Sequence, residues 1–139
     1  MATADEWWRV IRRALGIPDI VSGNSRGLGE LANDERAVAW KLLGPPNTDA
    51  AVRARPRAER GAVLLARTLA KQGENGILDQ YLVPFGHNKA EHVPSLLRGW
   101  SGVDIQEQMG TAEVLWQKVT AYIGAHPFDE PGSTASCAQ

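Results

Sequence analysis

Apolar residues recur along this chain at the spacing of a helix face. In the first stretch Trp7, Trp8, Ile11, Ala14 and Leu15 gather on one side, while Arg9, Arg12 and Arg13 fall on the other. Thr3-x-x-Glu6 stands ahead of them as a capping box, and Gly16 followed by Pro18 marks the exit. Residues 17–32 are rich in Gly, Asn and Ser and read as loop with one brief turn. Asn33 is placed to cap a helix over 34–43, with Asp34 and Glu35 in its first turn and Gly44-Pro45-Pro46 as its stop.

The middle of the chain carries the strongest pattern. A helix is predicted from Pro56, a residue favoured at a first helical position, to about Gln72, with a short turn capped by Thr48 before it. Ala58, Ala62, Val63, Leu65, Ala66, Leu69 and Ala70 form its apolar side, with Arg57, Arg60, Arg67 and Lys71 nearly opposite. Residues 77–83 and a segment from Pro94 carrying Leu96, Leu97 and Trp100 are predicted as two short helices between glycine and proline breaks. Asp104 is expected to cap a turn through Ile105 and Met109 that Gly110 ends. Thr111 then caps a last helix striped by Ala112, Leu115, Trp116, Val119, Tyr122 and Ile123. No stretch shows the period-two alternation of a strand. The expectation is an all-α, single-domain bundle of about five to six helices over residues 1–127, followed by a polar tail over 128–139. Trp7, Trp40 and Trp116 are expected in the core, because a bundle of this size needs large side chains to fill its centre.

Composition narrows the class. With 139 residues, 43% hydrophobic and 22% charged, the chain is ordinary globular material and long enough to bury a core. One cysteine, Cys137, excludes an intramolecular disulfide and a cysteine zinc cluster. The start lacks the features of a signal peptide, and no apolar run approaches the length of a membrane span. A cytoplasmic protein without a membrane partner is expected.

The net charge of -1 conceals an asymmetry. Residues 1–72 hold twelve Lys and Arg against eight Asp and Glu, net +4, and residues 73–139 hold three against eight, net -5. Eleven of the fifteen cations are Arg, whose planar fork suits bidentate contact with phosphate. Arg9, Arg12, Arg13, Arg53, Arg57, Arg60, Arg67 and Lys71 are therefore the residues expected to hold nucleic-acid backbone without reading bases. The alternative for the same residues is a solvated helix face, or a face that meets an acidic protein. Leu64 lies within the basic face, Trp8 adjoins the first arginines, and Trp100 sits in a glycine-flanked bend. These three are the candidate interface residues.

Catalytic chemistry finds little footing. His87 and His92 are five apart, a poor spacing for two metal ligands on one helix, and a metal site through them is the lesser reading; no metal and no cofactor are expected. His126 follows the last helix, where the dipole favours a partly protonated imidazole. Cys137 has no neighbouring base, no serine sits in a nucleophile elbow, and the glycine clusters lack the lysine of a phosphate loop.

The order of features resembles the helical small subunits of multisubunit CRISPR effector complexes. The resemblance runs over about residues 5–123 and rests on several segments: an Arg-bearing first helix with tryptophans (Trp7 to Arg13), Leu64-Leu65-Ala66-Arg67-Thr68-Leu69-Ala70, Leu96-Leu97-Arg98-Gly99, the turn around Val103-Asp104, and a closing helix with Trp116. It implies a non-catalytic subunit, repeated in its assembly, whose Arg and Lys side chains touch nucleic-acid backbone. The acidic second half would then meet the basic half of a neighbouring copy or another subunit. The reading from a different class is a protein-interaction module, such as a phage structural component, an adaptor or an immunity protein.

Overall fold

The computed structural model describes residues 3–18, 31–76, 96, 97, 100 and 102–126, with side chains in the last stretch from residue 106. Every regular element among them is a helix: α1 (Ala4–Ala14), α2 (Asn33–Leu43), α3 (Asp49–Glu74) and α4 (Gly102–Ala125). The described residues thus hold four helices, and the expected five to six are a count over the whole chain. Residues 77–83, and all of the segment from Pro94 except Leu96, Leu97 and Trp100, lie outside the described residues, as does the tail. No helix among the described residues is long and apolar enough to cross a membrane.

The helix ends follow local chemistry. At the start of α1 the Thr3 hydroxyl accepts the Glu6 N–H at 3.1 Å and a Glu6 carboxylate oxygen accepts the Thr3 N–H at 3.3 Å, closing the capping box. Its end is a Schellman turn: Ile17 N–H donates to the Arg12 carbonyl and Gly16 N–H to that of Arg13, with Gly16 at φ +76°. Ile17 is buried against the core, the apolar contact that usually accompanies this turn.

Three boundaries differ from expectation. The N-cap of α2 is Ala32, with Asn33 the first helical residue; Glu35 reaches back to accept the Ala32 N–H at 3.0 Å, the half of a capping box that needs no side chain at the cap, and Asp34 accepts the Glu35 N–H at 2.9 Å. Helix α3 starts at Asp49, with Pro56 inside it. The Thr48 hydroxyl caps it by accepting the Ala51 N–H at 3.0 Å, and the bond that Pro56 forgoes belongs to Val52, on an exposed part of the helix. Helix α4 runs unbroken through Gly110, where a turn and a separate helix capped by Thr111 are expected. Gly110 has no positive φ, and burial of Gln108, Ala112, Leu115 and Trp116 on both sides of it outweighs the cost of about 1 kcal/mol that glycine carries in a helix.

Helix α3 is the centre of the packing. Helices α1 and α2 lie mainly against it, and α4 touches all three others. One core joins Trp7, Trp8 and Ile11 of α1, Val38 and Leu42 of α2, Leu65 and Leu69 of α3, and Leu115, Trp116 and Val119 of α4, with Leu96 and Leu97. Trp40 departs from the expected core, being 43% exposed. The buried side of α2 is Glu35, Val38, Ala39 and Leu42, and Trp40 points well away from it.

Candidate functional site

The outer face of α3 presents Arg53, Arg57, Arg60 and Leu64 at successive intervals of four, three and four residues, so they form one row along the helix. All four are exposed, Leu64 by 55%. Arg53 and Arg60 have no ion pair or hydrogen bond among the described residues. Arg57 lies 3.8 Å from Glu107 of α4, both side chains more than half exposed, an arrangement worth little against solvent screening.

Arg67 and Lys71, toward the end of α3, are used inside the fold. Arg67 lies 3.4 Å from a Glu35 oxygen, and its guanidinium stands 3.7 Å from the centre of the Trp8 ring. Trp8 in turn donates from Nε1 to Asp34 at 2.7 Å. Glu35 is 6% exposed, so its charge needs the partners it has, and the four residues tie α1, α2 and α3 together. Lys71 donates to one oxygen of Glu74 at 2.7 Å, while the other accepts the Ala4 N–H at 3.0 Å, placing a carboxylate at the N-terminus of α1. The Lys71 ammonium, and then the Ala4 N–H, hold the Glu74 carboxyl below its ordinary value of 4.5. Arg55 donates to Glu59 at 3.1 Å and stacks 4.2 Å over the exposed Trp40.

Beside the row runs a cleft of about 770 Å³ between α3 and α4. Its rim is the exposed Ala54, Arg57, Arg60, Leu64 and Glu107, and Leu43, Ala58, Gly61, Trp100, Gln108 and Thr111 complete its lining. Gly61 lies close against Gln108: a Cβ on it would come within 2.6 Å of the amide nitrogen, which would have to shift. Gln108 is 9% exposed, and its amide oxygen is buried without a hydrogen-bond partner among the described residues.

Of the residues singled out in the sequence, the cleft thus collects Arg57, Arg60, Leu64 and Trp100, with Arg53 one turn away. Trp8, named as an interface candidate, is 4% exposed and belongs to the core. Arg9 and Arg13 are exposed on α1, Arg12 is half-buried, and none of the three lines the cleft. His87, His92 and Cys137 lie outside the described residues, and among those described no group of three His, Cys, Asp or Glu side chains could hold a metal ion. His126 stacks on Tyr122 at 4.2 Å and sets Nδ1 at 3.0 Å from the Tyr122 carbonyl oxygen, at the end of α4 where it is expected. Two residues escape a reading of the sequence. Glu35 reads as surface because carboxylates usually are, and Gln108 is signalled only by Gly61, a glycine within a helical pattern. No protein-family model, no curated protein and no solved structure matches this chain.

Proposed function

We propose that the chain is a non-enzymatic helical subunit of a larger cytoplasmic nucleoprotein assembly, a bundle of five to six helices once the short segments between α3 and α4 are counted. It holds RNA or DNA backbone through the outer row of α3 and meets neighbouring subunits, copies of itself among them, through its acidic half. The observation that carries this reading is the row itself: Arg53 and Arg60 are exposed on one face without an internal counter-ion among the described residues, with Arg57 between them. Along the helix axis they are spaced by about 6 Å and 4.5 Å, close enough for neighbouring phosphates of one strand to engage them together. The pattern-level resemblance to small subunits of CRISPR effector complexes and the +4/-5 division of charge point the same way. Arg9, Arg12 and Arg13 stand on α1 as a second set of proposed contacts outside the row, whereas Arg67 and Lys71 are occupied in the fold and contribute only their residual field; the row alone is counted in the salt slope.

Fluorescence anisotropy with a labelled single-stranded RNA and a DNA duplex tests it across a salt series. Three engaged arginines give a slope of about -2 for log K against log salt on a single strand, and Arg53→Glu with Arg60→Glu removes most of it. Absence of salt-sensitive binding to either nucleic acid refutes the reading. The rim observation favours a second one: Leu64 is 55% exposed and Glu107 shares the edge with the arginines, a mixture that suits a protein partner. In that case the same charge reversals abolish capture of a protein partner, and no nucleic acid binds to the wild type at any salt.

A further inference from the structure

Helix α2 carries on its outer side a tryptophan that the core does not use. Trp40 is 43% exposed, and the guanidinium of Arg55, reaching across from α3, stands 4.2 Å from the centre of its ring. The Arg55 side chain is 12% exposed and is held by Glu59 at 3.1 Å, so in this stack the guanidinium is the inner layer and the indole the outer one. One ring face is thus taken, and exposure of this size requires the other to be largely open. The cation–π contact with an anchored guanidinium also holds the ring in place, so little rotamer freedom is left to lose when something lies on it.

Cations flank the open ring. Arg36 is four residues before Trp40 and Lys41 directly after it, and at 100° per residue the two stand on either side of the indole round the axis of α2. Both are exposed, and neither side chain has an ion pair among the described residues. The acidic residues of the same helix are committed elsewhere, Asp34 to the Trp8 N–H and Glu35 to Arg67. A flat apolar face between two uncommitted cations suits a flat group with an anion on either side of it. An unpaired base within a strand has that form: its face lies on the indole, and the phosphates before and after it meet the cations. Residues four apart on a helix have Cβ atoms about 5–6 Å apart, so the long Arg36 side chain reaches a phosphate beside a base on Trp40. A protein side chain is anchored in a recess, whereas stacking needs only the open face that Trp40 offers.

We infer that Trp40 is a stacking platform for one unpaired base of an RNA or DNA single strand, with Arg36 and Lys41 on the flanking phosphates. The inference rests on the nucleic-acid reading and adds a separate contact to it. Arg55 is about 200° round the axis of α3 from Arg53, so the platform and the arginine row lie on different sides of that helix. Duplex, whose bases are stacked on one another, offers nothing to the indole.

The test uses the full chain and the anisotropy of three labelled probes, each in RNA and in DNA form: a ten-nucleotide adenine strand, a strand of the same length without bases, and a duplex. Trp40→Ala is expected to weaken the adenine strand about tenfold and to leave the abasic strand and the duplex unchanged. This variant uncovers Arg55 and removes no charge, so a loss of that size is not electrostatic. Trp40→Phe, which keeps a ring face, is expected to recover most of the binding. Arg36→Gln with Lys41→Gln is expected to weaken the adenine and abasic strands alike and to flatten the slope of log K against log salt by about 1.4. All three positions are exposed, and thermal melts confirm that each variant is folded. An adenine strand held as tightly by Trp40→Ala as by wild type, or an equal loss of the adenine and abasic strands, overturns the platform; the charge reversals at Arg53 and Arg60 then still decide the backbone reading. Wild type that binds no strand at any salt overturns both, and a co-purifying protein lost with Trp40→Ala would give the surface to a protein partner instead.

Discussion

Two glycines inside helices of this chain should respond to alanine with opposite signs. Gly110 sits within α4 with open space around the position of a Cβ, and its backbone is not in the left-handed region. Alanine there gains the usual helix propensity, about 0.5–1 kcal/mol, with nothing to displace. Gly73 is buried near the end of α3, and a Cβ on it would fall on the five-membered ring of the Trp7 indole. Trp7 is itself 4% exposed and enclosed by the core, so the ring cannot turn aside without moving its neighbours. Overpacking of this kind costs about 1–3 kcal/mol, against which the same propensity gain returns roughly 1. The net expectation is a loss of up to about 2 kcal/mol for Gly73→Ala and a gain of about 0.5–1 for Gly110→Ala. For a domain of this length each kcal/mol moves Tm by about 4 °C, so thermal melts of the two variants should separate by roughly 2–12 °C. Trp7→Ala, strongly destabilising alone, should lose less in the Gly73→Ala background, because removal of the ring atoms that meet the methyl group leaves room for it; the coupling is read from a double-mutant cycle. If Gly73→Ala melts above wild type, as Gly110→Ala should, the close contact between α1 and α3 is not as described and the reasoning fails.

Further outcomes follow from the ion pairs and the core. Glu35→Met alone should destabilise by about 2–3 kcal/mol in urea unfolding, since it strips Arg67 of its partner and the Ala32 N–H of its acceptor, while Glu35→Met with Arg67→Met should recover part of the loss; strict additivity would count against the coupled pair. Trp116→Ala should cost about 3–5 kcal/mol and Trp40→Ala about 1 or less, because one side chain is fully buried and the other is 43% exposed; equal costs would place Trp40 in the core after all. Glu74→Gln should lower Tm at neutral pH, and its difference from wild type should vanish as the pH falls. The folded carboxyl titrates below 4.5, so its contribution is present above that value and lost as pH drops through the folded pKa; a difference that does not shrink as the pH is lowered from 4.5 would contradict this.

The helices were legible because amphipathic spacing survives reading in one dimension. Thr3 and Glu6 act as the capping box their spacing announces, and the alternation of Ala62, Leu65, Ala66 and Leu69 with Arg57, Arg60 and Arg67 does separate the buried and outer sides of α3. What failed did so where a boundary is decided by packing. Pro56 and Gly110 are local breakers in isolation, yet Gly110 is carried through by turns packed on both sides of it, and Pro56 lies in the exposed first turns of α3, where water can meet the Val52 carbonyl it leaves unpaired. Trp40 failed for a different reason. The inner face of α2 includes Glu35, a buried carboxylate, and counting it as surface rotates the inferred stripe toward the tryptophan.

The charge pattern shows the same limit more sharply. Angular position assigns Arg53, Arg57, Arg60, Arg67 and Lys71 to one broad polar side of α3, and nothing in their spacing distinguishes them. What distinguishes them is the arrangement of the other helices. Toward the end of α3 the polar side meets α1 and α2, so Arg67 lies on Trp8 and beside Glu35, and Lys71 is held by the same Glu74 that binds the start of α1. Toward the beginning it borders the cleft with α4, where Glu107 comes within 3.8 Å of Arg57. Among the described residues the cations of α3 without a counter-ion are Arg53 and Arg60, and Arg60 lines the cleft together with an exposed leucine and a tryptophan. A solvated face would carry two such arginines as readily as a binding face does, so the charge reversals at Arg53 and Arg60, and not the spacing, are what separate the two.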